Sequence, residues 1–151
     1  MKVHVRKATV DDLETLIKFT AQEAIEAEGI EKIPGTLEKG IKAALEDNSK
    51  SINWVIVDVN NIPFGNVSAL KEWSDWNAGY YLWIQSMYIL PSVRGKGYIQ
   101  FLLEAVKGEM KKVNALELRL YVHNSNKKAI RAYEKIGFEK SEYEIMINKI
   151  H

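Results

Sequence analysis

The sequence predicts an α/β fold, a central mixed β-sheet flanked by about four helices. Three observations predict it. Runs of β-branched and aromatic residues with strand character alternate with runs whose apolar residues recur at helical spacing. Two of the strand runs are joined by a tight turn, Asn60 to Pro63, while the later ones are separated by helices, so antiparallel and parallel neighbours are mixed. No Gly/Ser linker, repeat or low-complexity stretch divides the 151 residues, so 1–151 reads as one domain.

The elements follow in order. Val3 and Val5 alternate with polar neighbours as a first strand. Thr9 caps a helix whose first turn holds Asp11 and Asp12. Leu13, Leu16, Ile17, Ala21, Ala24 and Ile25 carry that helix to about Glu28, and Gly29 ends it. Pro34-Gly35 reads as a loop, Thr36 as the start of a second helix, and Asp47 to Ser49 as its end. Ile52 to Val59 and Phe64 to Leu70 are paired strands. An aromatic loop from Trp73 to Gly79 leads into a long strand, Tyr80 to Leu90, apolar enough to be buried on both faces. A third helix begins at Gly97, a strand runs from Leu116 to Val122, and Ser125 or Asn126 caps a fourth helix that Gly137 terminates. Phe138 to Ile150 is expected to complete the sheet.

Composition narrows the chemistry. There are 21 basic and 20 acidic residues, a net charge of +1, which gives no electrostatic case for nucleic acid or an anionic membrane as partner. The absence of cysteine closes any route through a thiol acyl-enzyme and any thiolate metal site. His4, His123 and His151 are far apart and form no metal-binding pattern, so no metal is expected. The N-terminus has no apolar signal core, and a cytoplasmic location is the default reading.

Between a strong strand and a strong helix lies Arg94-Gly95-Lys96-Gly97. A helix N-terminus there exposes unpaired N–H groups, glycines let an anion approach the backbone, and Arg94 and Lys96 add positive charge. The chemistry suits a phosphate or pyrophosphate. The segment matches neither G-x-x-x-x-G-K-S/T nor G-x-G-x-x-G. Taken alone, phosphate binding and a merely tight turn stand level. A second segment runs from Asn126 to Phe138, with Ala129, Tyr133 and Ile136 on one helix face.

With both segments in view, the chain resembles the GNAT N-acetyltransferase superfamily. That family carries a pyrophosphate pattern Gln/Arg-x-x-Gly-x-Gly/Ala after a central strand, matched here by Arg94 and Gly97. It also often ends in N-x-x-A-x-x-x-Y-x-x-x-G-F, matched by Asn126, Ala129, Tyr133, Gly137 and Phe138. Ile99 stands where the family has Gly or Ala, with Tyr98 beside it at the mouth. The resemblance covers nearly the whole chain. It implies acetyl-CoA as co-substrate, bound beside a splayed central strand pair by Met87, Tyr88 and Ile89 and by Arg94, Gly95, Lys96, Gly97, Tyr98, Ile99 and Asn126. It implies acetyl transfer to an amine, with a backbone N–H on the thioester oxygen and Tyr133 as general acid for the departing thiol.

An amine must shed a proton before it attacks, and a carboxylate is the usual base. The family often puts acids on the central strand, where this chain has Gln85 and Ser86. Glu23, Glu26, Glu28, Glu72 and Asp75 remain; the first three read as a solvated helix face, and Asp75, between two tryptophans, is the expected base. Trp73, Asp75, Trp76 and Gln85 are the expected acceptor-binding residues, since Trp faces attract a cationic amine. A small-molecule amine is the leading acceptor. A protein or peptide acceptor, and a non-catalytic acyl-CoA-binding sensor, are the alternatives, and a homodimer is left open.

Overall fold

The sheet is built outward from the strands richest in β-branched residues. In the structure, a computed structural model that describes residues 2–151, five strands stand in the order β1 (His4–Lys7), β2 (Ile52–Val57), β3 (Pro63–Ser74), β4 (Gly79–Ile89) and β5 (Glu117–Leu120). The first four are antiparallel neighbours, and β5 joins β4 in parallel. Four helices accompany them among the described residues: α1 (Leu13–Glu28), α2 (Pro34–Glu46), α3 (Tyr98–Val113) and α4 (Lys127–Lys135). This is the mixed α/β architecture expected. The chain divides into two compact units, one running to Tyr121 and the other Val122–His151.

The 3₁₀ turn Val10–Asp12 that leads into α1 is fixed by a reciprocal cap. The Asp12 carboxylate accepts the Thr9 N–H at 2.8 Å and both guanidinium arms of Arg6 at 2.9 and 3.0 Å. Burial pushes the Asp12 carboxyl up, but these partners outweigh it and hold the group below its usual range. One face of the sheet lies under α1 and α2, where Leu16, Val55 and Val57 are fully buried with Ile41 and Leu45 against them. On the opposite face, as the register places them, Ile56, Val67 and Ile84 are buried as well. That face is covered by α3 through Leu102, Leu103 and Val106, each worth ~1.5–3 kcal/mol relative to exposure.

Several boundaries differ from those the sequence predicts, and three differences are informative. Pro34 is the first residue of α2 rather than part of a loop, because proline at that position loses no helical hydrogen bond. Trp73 and Ser74 belong to β3, which pairs with β4 down to Ser74↔Gly79, so the expected aromatic loop is a tight turn at residues 75–78. Phe138 to Ile150 carries no strand. Its alternating apolar side chains fit a strand, but a strand needs ladder partners, and Tyr143, Ile145, Ile147 and Ile150 stay exposed.

Two irregularities of β4 shape its backbone. Ser68 faces Ser86 while Ala69 faces Ile84, so Gln85 is an extra residue, a β-bulge. The pairing with β5 stops at Ile84↔Leu120, and β4 continues alone on that side through Gln85–Ile89. The splayed central pair is therefore present.

Candidate active site

Past Ile89 the chain makes one 3₁₀ turn at Pro91–Val93 and reaches the glycines. Gly95 and Gly97 have φ of 81° and 80°. A side chain in that region costs ~1–2 kcal/mol, which is why glycine is needed at both positions. A Cβ built on either would meet nothing within 4 Å, so the backbone lies open. Gly97 stands at the N-cap of α3, which has no side-chain cap and no acidic residue in its first turn. Gln100 N–H bonds to Gly97 O, while the N–H groups of Tyr98 and Ile99 before it are left for an anion. Lys96 is exposed beside it. Tyr98 packs edge-on against Phe64, centroids 5.0 Å apart, and Ile99 is partly buried.

Arg94 has a different attachment. Its Nε donates to the Ile89 carbonyl at 2.8 Å, its Nη1 meets Glu26 of α1 at 2.8 Å, and its guanidinium lies 5.3 Å from the Tyr88 ring centroid. It clasps α1 to the end of β4. The bond to Arg94 holds the Glu26 carboxyl below its usual range, and burial followed by the Glu26 charge raises the Tyr88 phenol.

Strand register decides which backbone groups of β4 are free. Leu90 N–H bonds to Phe64 O, so by antiparallel alternation Tyr88 and Ser86 also bond toward β3, and Met87 and Ile89 point to the splayed side. The Ile89 carbonyl there is taken by Arg94. The Met87 N–H is taken by Glu23 of α1, whose carboxylate accepts it at 2.9 Å and accepts the Ser86 hydroxyl at 2.6 Å. Asn66 Nδ2 reaches Ser86 Oγ at 3.4 Å from β3. Burial, above all, raises the Glu23 carboxyl; the two hydrogen bonds oppose it, and the Glu26 charge adds to it.

The bulge sets what shares this face. Tyr81 and Trp83 lie opposite Glu72 and Leu70, as Ser86 and Tyr88 lie opposite Ser68 and Asn66, so all four β4 side chains share the α1 face although their numbers change parity. Trp83 stacks on Tyr121 with centroids 4.6 Å apart, and Arg119 lies over Tyr81 at 3.7 Å. Gln85 is exposed at the bulge itself.

Three of the four residues expected to receive the acceptor, Trp73, Asp75 and Trp76, stand elsewhere. Trp73 ends β3 against Tyr80, and Asp75 and Trp76 form the hairpin tip, Trp76 being 89% exposed. Gly79 at the base of that tip is eight residues of β4 from Met87, roughly 26 Å at the usual strand rise. Asp75 therefore stands at the other end of β4 from Met87 and Glu23. Glu23 corrects the expectation in the other direction, for it is partly buried against β4, while Glu26 stays exposed but is ion-paired with Arg94. A signal for this exists in the sequence: Leu16, Phe19, Glu23 and Glu26 recur at helical spacing, so the two carboxylates continue the stripe that Leu16 and Phe19 begin. A recess of about 380 Å³ lined by Lys7, Lys71, Tyr80 and Lys112 touches none of the β4 residues from Ser86 to Ile89.

In the second unit, Asn126 caps α4, its Oδ1 accepting Ala129 N–H at 3.3 Å. Gly137 has φ 103°, its N–H bonds to Glu134 O, and Phe138 N–H bonds to Tyr133 O, closing the helix as expected for a glycine one past the cap. Tyr133 is partly buried and packs edge-on to Phe138 at 5.7 Å.

A family model described as acetyltransferase (GNAT) family matches residues 15–138. Among solved structures, a possible acetyltransferase from Clostridium difficile 630 is 34% identical, with a TM-score of 0.91 over 100% of this chain and 99% of that one. A predicted acetyltransferase from Clostridium acetobutylicum, solved with acetyl-CoA, is 23% identical with a TM-score of 0.78 over 97% and 96% of the two chains. An aminoglycoside N-acetyltransferase solved in complex with CoA is 15% identical, TM-score 0.81, over 99% and 96%. The last two are similar in fold.

Proposed function

We propose that this chain, which belongs to the GNAT acetyltransferase family, moves the acetyl group of acetyl-CoA onto an amine, foremost a small-molecule amine. One observation carries the reading: the glycine turn with its open N–H groups follows, after one 3₁₀ turn, the stretch of β4 that has no strand partner on one side. A phosphate held at Gly95–Gly97 and an extended arm lying along Met87–Ile89 use both features at once. Acetyl-CoA supplies the activated thioester; the protein binds, orients and moves protons.

In this reading Gly95, Lys96 and Gly97, with the N–H groups of Tyr98 and Ile99, hold the pyrophosphate. Arg94 keeps the end of β4 and α1 in place for it. Met87 donates its N–H to the thioester oxygen, a bond that strengthens as the oxygen gains charge. Gln85 and Trp83 are the side chains of β4 that meet the acceptor. Asn126 keeps its place in the cofactor set, and Tyr133 protonates the departing thiolate, both on the strength of the family pattern.

The test is release of free CoA on mixing the protein with acetyl-CoA and a panel of small amines, with peptide amines alongside. Turnover with small amines is expected; turnover with peptides alone would move the acceptor class, and acetyl-CoA binding without turnover would leave a sensor. Tyr133→Phe keeps the ring and removes the proton. Single-turnover transfer is expected to slow by about 10² to 10⁴, with acetyl-CoA affinity little changed. A normal transfer rate would make Tyr133 a packing residue.

A further inference from the structure

Glu23 and Glu26 leave α1 on the same side but meet different partners. Glu26 is neutralised by Arg94. No cation stands within ion-pair distance of Glu23 among the described residues. Its carboxylate instead bridges the Ser86 hydroxyl and the Met87 N–H, at the bulge where β4 leaves β5. Behind Ser86 stands Asn66, 2% exposed, with its Oδ1 buried and unpartnered. A polar line thus runs from inside the sheet to Glu23 and ends on the N–H that the acetyl-transfer reading gives to the thioester oxygen.

We propose that Glu23 is the proton acceptor for the amine, and that in the resting protein its carboxylate occupies the place on the Met87 N–H that the thioester carbonyl takes in the reaction. The inference rests on the acetyl-transfer reading. One N–H cannot serve two acceptors well, so the arriving carbonyl oxygen displaces one carboxylate oxygen. The Ser86 hydroxyl, supported by Asn66, keeps hold of the other. The freed oxygen then lies beside the carbonyl, on the face shared with Trp83.

Proton and bond changes balance. The amine arrives as an ammonium and gives one proton to Glu23. Its lone pair forms the C–N bond as the C–S bond breaks. The thiolate takes a proton from Tyr133, and the second proton on nitrogen restores that phenol. Glu23 returns its proton to solvent, so each turnover yields amide, CoA thiol and one proton. The environment suits this role. Burial and the neighbouring Glu26 charge make Glu23 more basic than an ordinary carboxylate, the Ser86 and Met87 bonds oppose this, and Arg94 spends its charge on Glu26.

Two variants test the proposal with acetyl-CoA, CoA and the best amine of the panel. Glu23→Gln is nearly isosteric and can still accept the Met87 N–H. Its single-turnover rate is expected to fall by about 10² to 10⁴, and the acid limb of the pH–rate profile, set in the wild type by protonation of Glu23, is expected to vanish. Glu23→Ala removes the competitor for the N–H. Acetyl-CoA is then expected to bind about fivefold more tightly relative to CoA, which has no carbonyl on sulfur; a gain of that size is what one neutral hydrogen bond supplies. A Glu23→Gln rate within about threefold of wild type, an acid limb that persists, or an unchanged acetyl-CoA to CoA affinity ratio would overturn the proposal. A wild-type protein that binds no acetyl-CoA would instead defeat the acetyl-transfer reading, and this inference with it.

Discussion

Glu23 and Asp75 are both carboxylates that sequence alone offers as a base, and the fold separates them. Glu23 enters the splay of β4 and loses water around its charge; Asp75 sits on a hairpin tip. Exposed tip residues distant from the site change little when replaced. Asp75→Asn and Trp76→Ala are therefore expected to leave acetyl transfer to a small amine within about twofold of wild type, measured as CoA release. A tenfold loss would return the acceptor to the hairpin tip. Gly95 and Gly97 are readable from the sequence as a strand-to-helix turn, and it takes the second segment and the family pattern to tip that turn toward a phosphate. Glu23 is harder, since a carboxylate on a helical stripe reads as solvated unless the stripe is followed past Phe19. Asn66 and Ser86 give no sign at all, because their importance comes from pairing across β3 and β4.

At the scale of elements, the functional ones are β4, α1 and the N-terminus of α3. All three are legible in the sequence, because their apolar periods are long and their ends carry Gly29, Pro91 and Gly97. The bulge at Gln85 is not. An inserted residue leaves no mark on composition, yet it brings Tyr81 and Trp83 to the same face as Ser86 and Tyr88. The α3 turn can be tested by two substitutions of one glycine. Gly97→Ala meets no atom but must hold a φ of 80°, so it is expected to destabilise the fold by ~1–2 kcal/mol and to keep binding acetyl-CoA. Gly97→Glu brings a negative charge to the helix N-terminus and is expected to abolish binding in a calorimetric titration while the protein stays folded. Equal affinity in folded Gly97→Glu would make the turn structural only.

At the scale of the molecule, the mixed α/β architecture is legible because each local pattern agrees with it, down to the parallel β5 that comes after a helical crossover. The expected final strand is not found. Alternation in Tyr143, Ile145 and Ile147 specifies a strand's faces but not its partner. No described helix is long and apolar enough to cross a membrane. The chain and its C. difficile relative agree in fold over nearly their full lengths. The proposed activity depends on acetyl-CoA lying along the free side of β4 with its thioester oxygen on Met87. A crystal structure with acetyl-CoA tests this most directly. The predicted result has the pyrophosphate on the N–H groups of Gly95 to Ile99, the thioester oxygen within hydrogen-bond distance of the Met87 nitrogen, and the Glu23 carboxylate moved off that nitrogen but still on Ser86. A thioester placed away from Met87, with Glu23 unmoved, would contradict it.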